Sequence, residues 1–270
     1  MLNDLRNDKN AEGASYKYGI VLSGGGTRGF AHLGVLKALE EEGIRPEIIS
    51  GVSAGSIVGA LYADGKEPEQ ILEYLTSQKI FQYLDFTIPK MGLVKMTGFE
   101  KLLKKHLEAE NFEDLKIPLK VFAVNINTAE YTCFDSGPLA LAVKASSSIP
   151  VLFPPIEIDN GYYCDGGIIN NFPVEPLMDI CEKVIGVNVN PLGKKTGLDN
   201  LKKIAERTFQ LTIRSHTLER KKHCHLYIEP EGLGDYGLID LSSGEKIFKL
   251  GYDSTKKALK ETDWQKKAED

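Results

Sequence analysis

Two apolar segments of this chain each run directly into a glycine-containing turn and then into a helical pattern. In the first unit these three parts are residues 18–23, 24–29 and 30–42. In the second unit they are residues 48–50, 51–55 and 56–64. Short apolar runs are typical of strands buried on both faces, and successive strand–turn–helix units favour a parallel, right-handed sheet. This pattern predicts an α/β protein.

The rest of the chain is consistent with one α/β domain. Further strands are predicted at 119–126, 131–134, 156–158, 162–164, 184–189 and 226–228, and helices within 66–116, 201–222 and 244–262. The strands around Asp159-Asn160-Gly161 should form a hairpin, because this is a favourable turn sequence. No internal repeat or linker divides the chain. We therefore expect a polar leader at 1–16, a single domain at 17–262 and a polar tail at 263–270.

Composition excludes several classes of protein. The chain has 270 residues, 42% of them hydrophobic, and a formal net charge of −5. These values are typical of a soluble globular protein and lack the basic excess of a nucleic-acid binder. No apolar run approaches the roughly 20 residues that span a bilayer, and the first residues lack the apolar core of a signal peptide. The four cysteines form no C-x-x-C pair, so we expect a reduced, cytoplasmic protein with neither a metal knuckle nor a disulfide framework.

The second turn, Gly51-Val52-Ser53-Ala54-Gly55, matches the pattern G-x-S-x-G. This pattern places a serine on a sharp turn between a strand and a helix, where its Oγ is exposed. Side chains at the two flanking positions would collide in such a turn, which explains Gly51 and Gly55. A chance match in a glycine-rich chain is the alternative. The apolar strand before the turn and the small-residue helix after it favour Ser53 as a nucleophile.

The first glycine-rich turn has two interpretations. It consists of Gly24, Gly25, Gly26, Thr27, Arg28 and Gly29. It matches the dinucleotide-binding pattern G-x-G-x-x-G, which also needs an acidic residue at the end of the second strand. Here the nearest acidic residue, Glu47, precedes that strand. The alternative is an oxyanion hole, in which backbone N–H groups at a helix N-terminus face developing negative charge. Arg28 then donates to a substrate phosphate, or it is a solvated or carboxylate-paired side chain.

A serine nucleophile needs a base, and five histidines are available. His32 lies on an apolar helical stripe and is expected to be packed, whereas His106 lies in a basic helical run and is expected to be solvated. His216 lies in a polar helical segment. His223 and His225 alternate along a predicted strand and therefore share one face. They form a metal pair or a triad base in one interpretation, and an exposed pair at the start of a strand in the other. No third metal ligand is spaced nearby.

Asp165 is the better candidate for the base. It follows a short predicted strand and precedes Gly166 and Gly167, so the backbone can turn tightly and present the carboxylate. An Asp-Gly pair that merely forms a turn is the alternative. Composition does not decide between the two.

Taken in order, these segments resemble the patatin-like phospholipase family. The resemblance rests on the glycine loop with Arg28, on the G-x-S-x-G turn around Ser53 and on Asp165-Gly166-Gly167. It is strengthened by ASSSIPVLFPP at 145–155 and NNFPV at 170–174. It covers residues 17 to 190, and the short chain is similar to the small single-domain bacterial members.

The resemblance implies a fold, a mechanism and a substrate class. The implied fold is a three-layer α/β/α sandwich with a mainly parallel central sheet. Ser53 would be the nucleophile and Asp165 the base of a dyad without histidine, and residues 24–29 would supply the oxyanion hole. The implied reaction is hydrolysis of a lipid carboxylic ester, in a phospholipid or lysophospholipid, through an acyl-enzyme. No metal and no organic cofactor is implied.

Two other functions remain open, and the implied substrate adds a partner. One alternative is a dinucleotide-binding oxidoreductase, which lacks its strand-end acid here. The other is a catalytically silent regulatory protein on the same fold.

A lipid substrate implies transient contact with a membrane surface. The candidate segment for this contact is residues 80–96, which is apolar and aromatic but interrupted by Pro89 and Gly92. Core packing beside the site is the alternative for this segment.

Overall fold

The structure is a computed structural model that describes most of the chain. The described residues are 15–77, 97–150, 152–191, 197, 199, 204, 207, 208, 211, 213, 217–237, 241–262 and 264. Three of the sequence predictions fall outside them, wholly or mainly. These are the leader at 1–16 with the tail at 263–270, the candidate membrane-contact segment at 80–96, and His216.

Within the described ranges, eight strands form one sheet. They are β1 (Tyr16–Leu22), β2 (Ile48–Val52), β3 (Leu119–Asn125), β4 (Glu130–Phe134), β5 (Ile156–Ile158), β6 (Gly161–Asp165), β7 (Cys181–Val187) and β8 (Leu226–Ile228). The order across the sheet is β5-β6-β3-β2-β1-β7-β8, and β4 also pairs with β3. Strands β3, β2, β1, β7 and β8 run parallel, whereas β4, β5 and β6 are antiparallel to their neighbours. The hairpin predicted around Asp159-Asn160-Gly161 is therefore confirmed, and β3 and β4 form a second hairpin.

Six helices of two or more turns accompany these strands in the described residues. They are α1 (Phe30–Glu41), α2 (Ala54–Ala63), α3 (Pro68–Thr76), α4 (Thr97–His106), α5 (Leu139–Ser146) and α6 (Gly244–Thr262). Helices α1 and α2 follow the two predicted glycine turns, and α6 matches its predicted bounds. Within the described ranges, no helix is both long enough and apolar enough to span a bilayer.

The sheet is buried on both faces. In β1, Ile20 and Leu22 belong to the large apolar core that also contains residues of α1 to α6. The alternate residue Val21 points to the other face, where it packs with Phe172 and Leu177 in a second core. Alternate side chains of one strand therefore enter two different cores. The predicted α/β sandwich, with helices flanking a mixed and mainly parallel sheet, is confirmed.

The carboxyl ends of the parallel strands meet at one edge of the sheet. The glycine loop at 24–29 follows β1, Ser53 follows β2, and Asn188 and Asn190 follow β7. Because β1 pairs with both β2 and β7, these segments are neighbours in space. Open α/β sheets bind ligands at this edge.

A buried carboxylate fixes the far end of α2. Asp64 follows the last residue of this helix, and its side chain accepts the backbone N–H groups of Glu108 and Ala109 at 2.9 and 3.0 Å. Lys66 lies 3.4 Å from the same carboxylate. Asp64 therefore ties α2, whose other end adjoins Ser53, to the chain that follows α4.

We predict that Asp64→Ala destabilises the protein by about 2–4 kcal/mol, because two backbone N–H groups lose a charged acceptor. Urea denaturation measures this change in the free energy of unfolding. Asp253→Ala is the control, since its carboxylate forms an exposed i,i+4 ion pair with Lys249 and such pairs contribute about 0.5 kcal/mol or less. Equal losses in the two variants would contradict the role of Asp64.

Candidate active site

Ser53 occupies the sharp turn between β2 and α2. Its backbone has φ 52° and ψ −124°, a positive-φ conformation that costs a non-glycine residue about 1–3 kcal/mol. Its carbonyl accepts the N–H of Ser56 at 2.9 Å and so begins the hydrogen bonding of α2. The turn directs the Ser53 side chain away from both the strand and the helix, as the G-x-S-x-G pattern requires.

Backbone atoms approach one another closely on both sides of Ser53. A Cβ atom on Gly51 would lie 2.7 Å from the carbonyl oxygen of Gly55, and a Cβ atom on Gly55 would lie 2.1 Å from that of Leu22. No side chain fits at either position without moving main-chain atoms. The turn therefore depends on both glycines, for the steric reason that the sequence predicted.

Strand β3 brings Asp165 to Ser53. The last residue of β2, Val52, pairs with Phe122 of β3, and the last residue of β6, Asp165, pairs with the next residue, Ala123. The two strand ends are in contact, because a Cβ atom on Gly166 would lie 2.9 Å from Cγ2 of Val52. The residue that follows β2 therefore meets the residue that ends β6.

The Asp165 carboxylate is buried and only partly satisfied. Its Oδ1 accepts the backbone N–H of Gly167 at 2.8 Å. Its Oδ2 has no hydrogen-bond partner among the described residues, and the Ser53 hydroxyl lies close enough to the carboxylate to lower its pKa. Burial raises the pKa of Asp165 to about 6, against smaller lowering effects of the Ser53 hydroxyl and the Gly167 N–H. A carboxylate in this state can accept a proton at Oδ2 near neutral pH.

The glycine loop lies against Ser53. A Cβ atom on Gly24 would lie 2.9 Å from Cβ of Ser53. The carbonyl oxygen of Gly24 accepts hydrogen bonds from the amide groups of Asn171, at 3.2 Å, and Asn190. Since a trans peptide directs its C=O and N–H to opposite sides, the N–H of Gly25 points away from these two amides. The loop continues as a 3-10 helix (Gly26–Gly29) into α1, an arrangement that suits an anion at its N-terminal N–H groups.

Arg28 is buried rather than solvated. Its Nε and Nη2 donate to the carbonyl oxygen of Tyr236 at 3.0 and 2.9 Å. The guanidinium thereby anchors the glycine loop to a distant part of the chain. Thr27, its neighbour in the loop, is also buried, and its hydroxyl has no hydrogen-bond partner among the described residues.

His32 and His106 each contact other parts of the described chain. His32 is fully buried, as predicted; its Nε2 lies 2.8 Å from the carbonyl oxygen of Ser23, and burial lowers its pKa to about 4. His106 is only partly exposed, and its ring stacks on that of Tyr74 with the centroids 4.3 Å apart. The stacking partner lies on α3, so His106 joins α4 to α3.

His223 and His225 do not share a strand face, which corrects the sequence prediction. His223 ends a 3-10 turn (Lys221–His223), and β8 begins only at Leu226. Nδ1 of His225 accepts the N–H of Val184, and the register across β7, β1 and β2 places Val184 level with Ile48. Ser53 lies five residues beyond Ile48, roughly 16 Å at about 3.3 Å per residue. His225 is therefore too far from Ser53 to be its base.

The described residues contain no group of three or more His, Cys, Asp or Glu side chains that could hold a metal ion.

The sequence prediction missed two buried residues of the site, Asn171 and Asn190. The signal was available, because Asn190 follows a parallel strand whose carboxyl end lies at the same edge as that of β2. What the pattern did not reveal is that both amides bind the glycine loop.

Comparisons with known proteins identify the family of this chain. Residues 20–178 match the model of the family described as patatin-like phospholipase. An uncharacterized NTE family protein of Mycobacterium tuberculosis is 31% identical over 180 residues, which cover 66% of this chain and 50% of that protein. The protein named lysophospholipase NTE1 of Kluyveromyces lactis is 30% identical over 269 residues, covering 87% of this chain and 18% of that protein. The chain thus spans half the length, or less, of these relatives.

Among solved structures, VipD from Legionella pneumophila is similar in fold. The TM-score is 0.61 at 18% sequence identity, and the match covers 92% of this chain and 67% of that one.

We predict that Asp165→Asn stabilises the protein at neutral pH, because the pKa of Asp165 is raised by burial from 3.8 to about 6. The unfolded chain loses this proton first as pH rises, so the folded wild type loses stability between about pH 4 and pH 6. At about 1.4 kcal/mol per pH unit, the gain of the variant approaches roughly 3 kcal/mol above pH 6. Urea denaturation at pH 4.5 and pH 8 measures it.

The matched control is Asp159→Asn, which removes one charge from an exposed turn residue at φ 48°, a conformation that asparagine tolerates. The free energy of unfolding of Asp159→Asn should differ from that of the wild type by nearly the same amount at the two pH values. If the difference in the free energy of unfolding between Asp165→Asn and the wild type stays constant with pH, the raised pKa of Asp165 is refuted.

Proposed function

The chain belongs to the patatin-like phospholipase family, and we propose that it is a serine hydrolase of lipid carboxylic esters. The observation that carries the proposal is the meeting of Ser53, on its strained turn, with the buried Asp165 carboxylate, whose Oδ2 has no hydrogen-bond partner among the described residues. Nucleophilic catalysis needs a serine hydroxyl within reach of a base.

In the acylation step, Ser53 Oγ attacks the ester carbonyl carbon while Asp165 accepts the hydroxyl proton at Oδ2. The carbonyl oxygen becomes an oxyanion next to the glycine loop. There, backbone N–H groups of residues 24–29, and those at the N-terminus of α2, stabilise its charge. Collapse of the tetrahedral intermediate breaks the ester bond, and the leaving alcohol takes the proton from Asp165. Ser53 remains acylated.

In the deacylation step, a water molecule replaces the alcohol. Asp165 accepts a proton from this water as it attacks the acyl carbon, and the same N–H groups stabilise the second oxyanion. The acid then leaves, and Ser53 Oγ recovers the proton. Each step moves one proton through a single carboxylate, so the mechanism needs neither a histidine nor a cofactor.

A phospholipid or lysophospholipid is the proposed substrate class. Support comes from the family and from the name lysophospholipase carried by the yeast relative. Such a substrate requires contact with a lipid surface. The predicted contact segment at 80–96 lies outside the described residues and stays a prediction.

The geometry disfavours a dinucleotide-binding function. The acid nearest to the second strand, Glu47, precedes β2, and its carboxylate accepts the backbone N–H of Lys17 near the start of β1. Both residues lie at the amino ends of their strands, whereas the glycine loop lies at the carboxyl ends. Glu47 is therefore at the wrong edge of the sheet to bind a ribose held by that loop.

We predict that Ser53→Ala abolishes both ester hydrolysis and labelling by a fluorophosphonate. Asp165→Asn should lower kcat by about 10²–10⁴-fold, because it removes the general base while conserving size. The double variant His223→Ala/His225→Ala is the control and should retain nearly full activity. Assays on a lysophospholipid and on a soluble short-chain ester test all three variants.

The reverse ranking, with the histidine variant inactive and Asp165→Asn active, would defeat the dyad. A folded wild type that neither hydrolyses esters nor reacts with the fluorophosphonate would instead identify a silent protein on this fold.

We also predict the pH dependence of the reaction. The base must be ionised to accept a proton, and burial raises the pKa of Asp165 to about 6. For a soluble short-chain ester, kcat/KM should therefore rise with pH up to about 6 and level off above it. A profile that stays flat down to pH 4 would show that the base is not the buried carboxylate.

A further inference from the structure

Three consecutive serines at the end of α5 contact both members of the proposed dyad. Ser146 is the last residue of this helix, and its Oγ accepts the backbone N–H of Ser53 at 2.9 Å. Oγ of Ser147 lies 3.4 Å from the carbonyl oxygen of Ser53. The carbonyl oxygen of Ser148 accepts the backbone N–H of Asp165 at 2.9 Å. One short stretch of chain is thus bonded to the nucleophile and to the base.

The bond from Ser53 to Ser146 satisfies a group that the strained turn leaves without a backbone acceptor. The N–H of Ser53 lies between the last ladder position of β2 and the first turn of α2, and a side-chain oxygen accepts it. Ser53 and Ser146 are both buried. Leaving a buried N–H unpaired is costly, so loss of this acceptor favours rotation of the peptide toward another partner.

Rotation of that peptide would move the Ser53 side chain. The peptide N–H and the Cα–Cβ bond share the positive-φ residue, so their directions are coupled. The Ser148 carbonyl meanwhile holds the main chain of Asp165 in place. After such a rotation, the Ser53 Oγ would no longer be directed at the Asp165 carboxylate, whose position is unchanged.

We propose that Ser146 is a positioning residue for the nucleophile: its Oγ holds the strained backbone of Ser53 so that the hydroxyl faces Asp165. This proposal rests on the proposed hydrolase function and adds a residue to it. The side chain of Ser146 acts on the backbone of Ser53 and takes no part in proton transfer. Its removal should lower the reactivity of a correctly folded enzyme.

The test compares Ser146→Ala and Ser146→Cys with the wild type. Ser146→Ala removes the acceptor, and Ser146→Cys keeps a side chain of similar size with a weaker acceptor. The control is Thr255→Val, which removes a fully buried helical hydroxyl that donates to the carbonyl of Gly251 in α6. Each protein is treated with excess alkyl fluorophosphonate. The rate constant of labelling and the final labelled fraction are measured, with kcat and KM on a short-chain ester.

For Ser146→Ala we expect the labelling rate constant and kcat to fall by about 10- to 100-fold, the usual cost of misplacing a reacting group by a fraction of an ångström to an ångström. The final labelled fraction and KM should stay near those of the wild type. For Ser146→Cys, the labelling rate constant and kcat should lie between those of Ser146→Ala and the wild type. Thr255→Val should react at the wild-type rate.

Two results would overturn the proposal while leaving the hydrolase function in place. One is Ser146→Ala reacting at the wild-type rate constant. The other is a reduced labelled fraction at an unchanged rate constant, which would indicate a role in folding alone. If Ser146→Ala does not fold, a wild-type rate constant for Ser146→Cys would refute the proposal. A wild type that does not react at Ser53 would overturn the hydrolase function and this proposal together.

Discussion

The positive-φ backbone of Ser53 is the constraint on which the rest of the site depends. A non-glycine residue in this conformation persists only where its surroundings hold it. Here the main chain of Gly55 lies against that of Leu22, and the N–H of Ser53 is bound by Ser146. The far end of the same helix is tied down by Asp64. Helix α2 is thus held at both ends, so the turn before it cannot relax by moving the helix.

The second requirement is a carboxylate in a dry site. Burial makes the Asp165 charge costly, and the raised pKa is the measure of that cost. The single N–H of Gly167 offsets only part of it. In an enzyme the part of this cost that is not offset is useful, because a carboxylate with all its hydrogen bonds satisfied would be a weak base. The partly satisfied carboxylate suits proton transfer at the expense of stability, as is common for active-site groups.

Local patterns predicted the parts of this site that depend on neighbouring residues. The turn around Ser53 needs only a strand, two glycines and a helix, all within one short stretch, and it was found. The burial of Arg28 on Tyr236 and the contacts of Asn171 and Asn190 with Gly24 depend on parts of the chain that are far apart in sequence. No periodicity contains that information. Ser146 entered the sequence analysis only as part of the segment ASSSIPVLFPP and without a role, because its partner is a backbone N–H that no pattern reveals.

The meeting of nucleophile and base follows from the register of β3 rather than from either loop. β3 pairs with β2 as far as Phe122 and with β6 from Ala123 onward. Because β2 and β6 run in opposite directions, their carboxyl ends meet along β3. A slip of β6 by one residue would turn the Asp165 side chain to the other face of the sheet. The hairpin of β5 and β6 prevents such a slip, because its tight turn at Asp159 and Asn160 fixes the pairing of both strands. The position of the Asp165 carboxylate is therefore set by a turn at the opposite end of its strand, and the glycines after Asp165 give it room and one N–H donor.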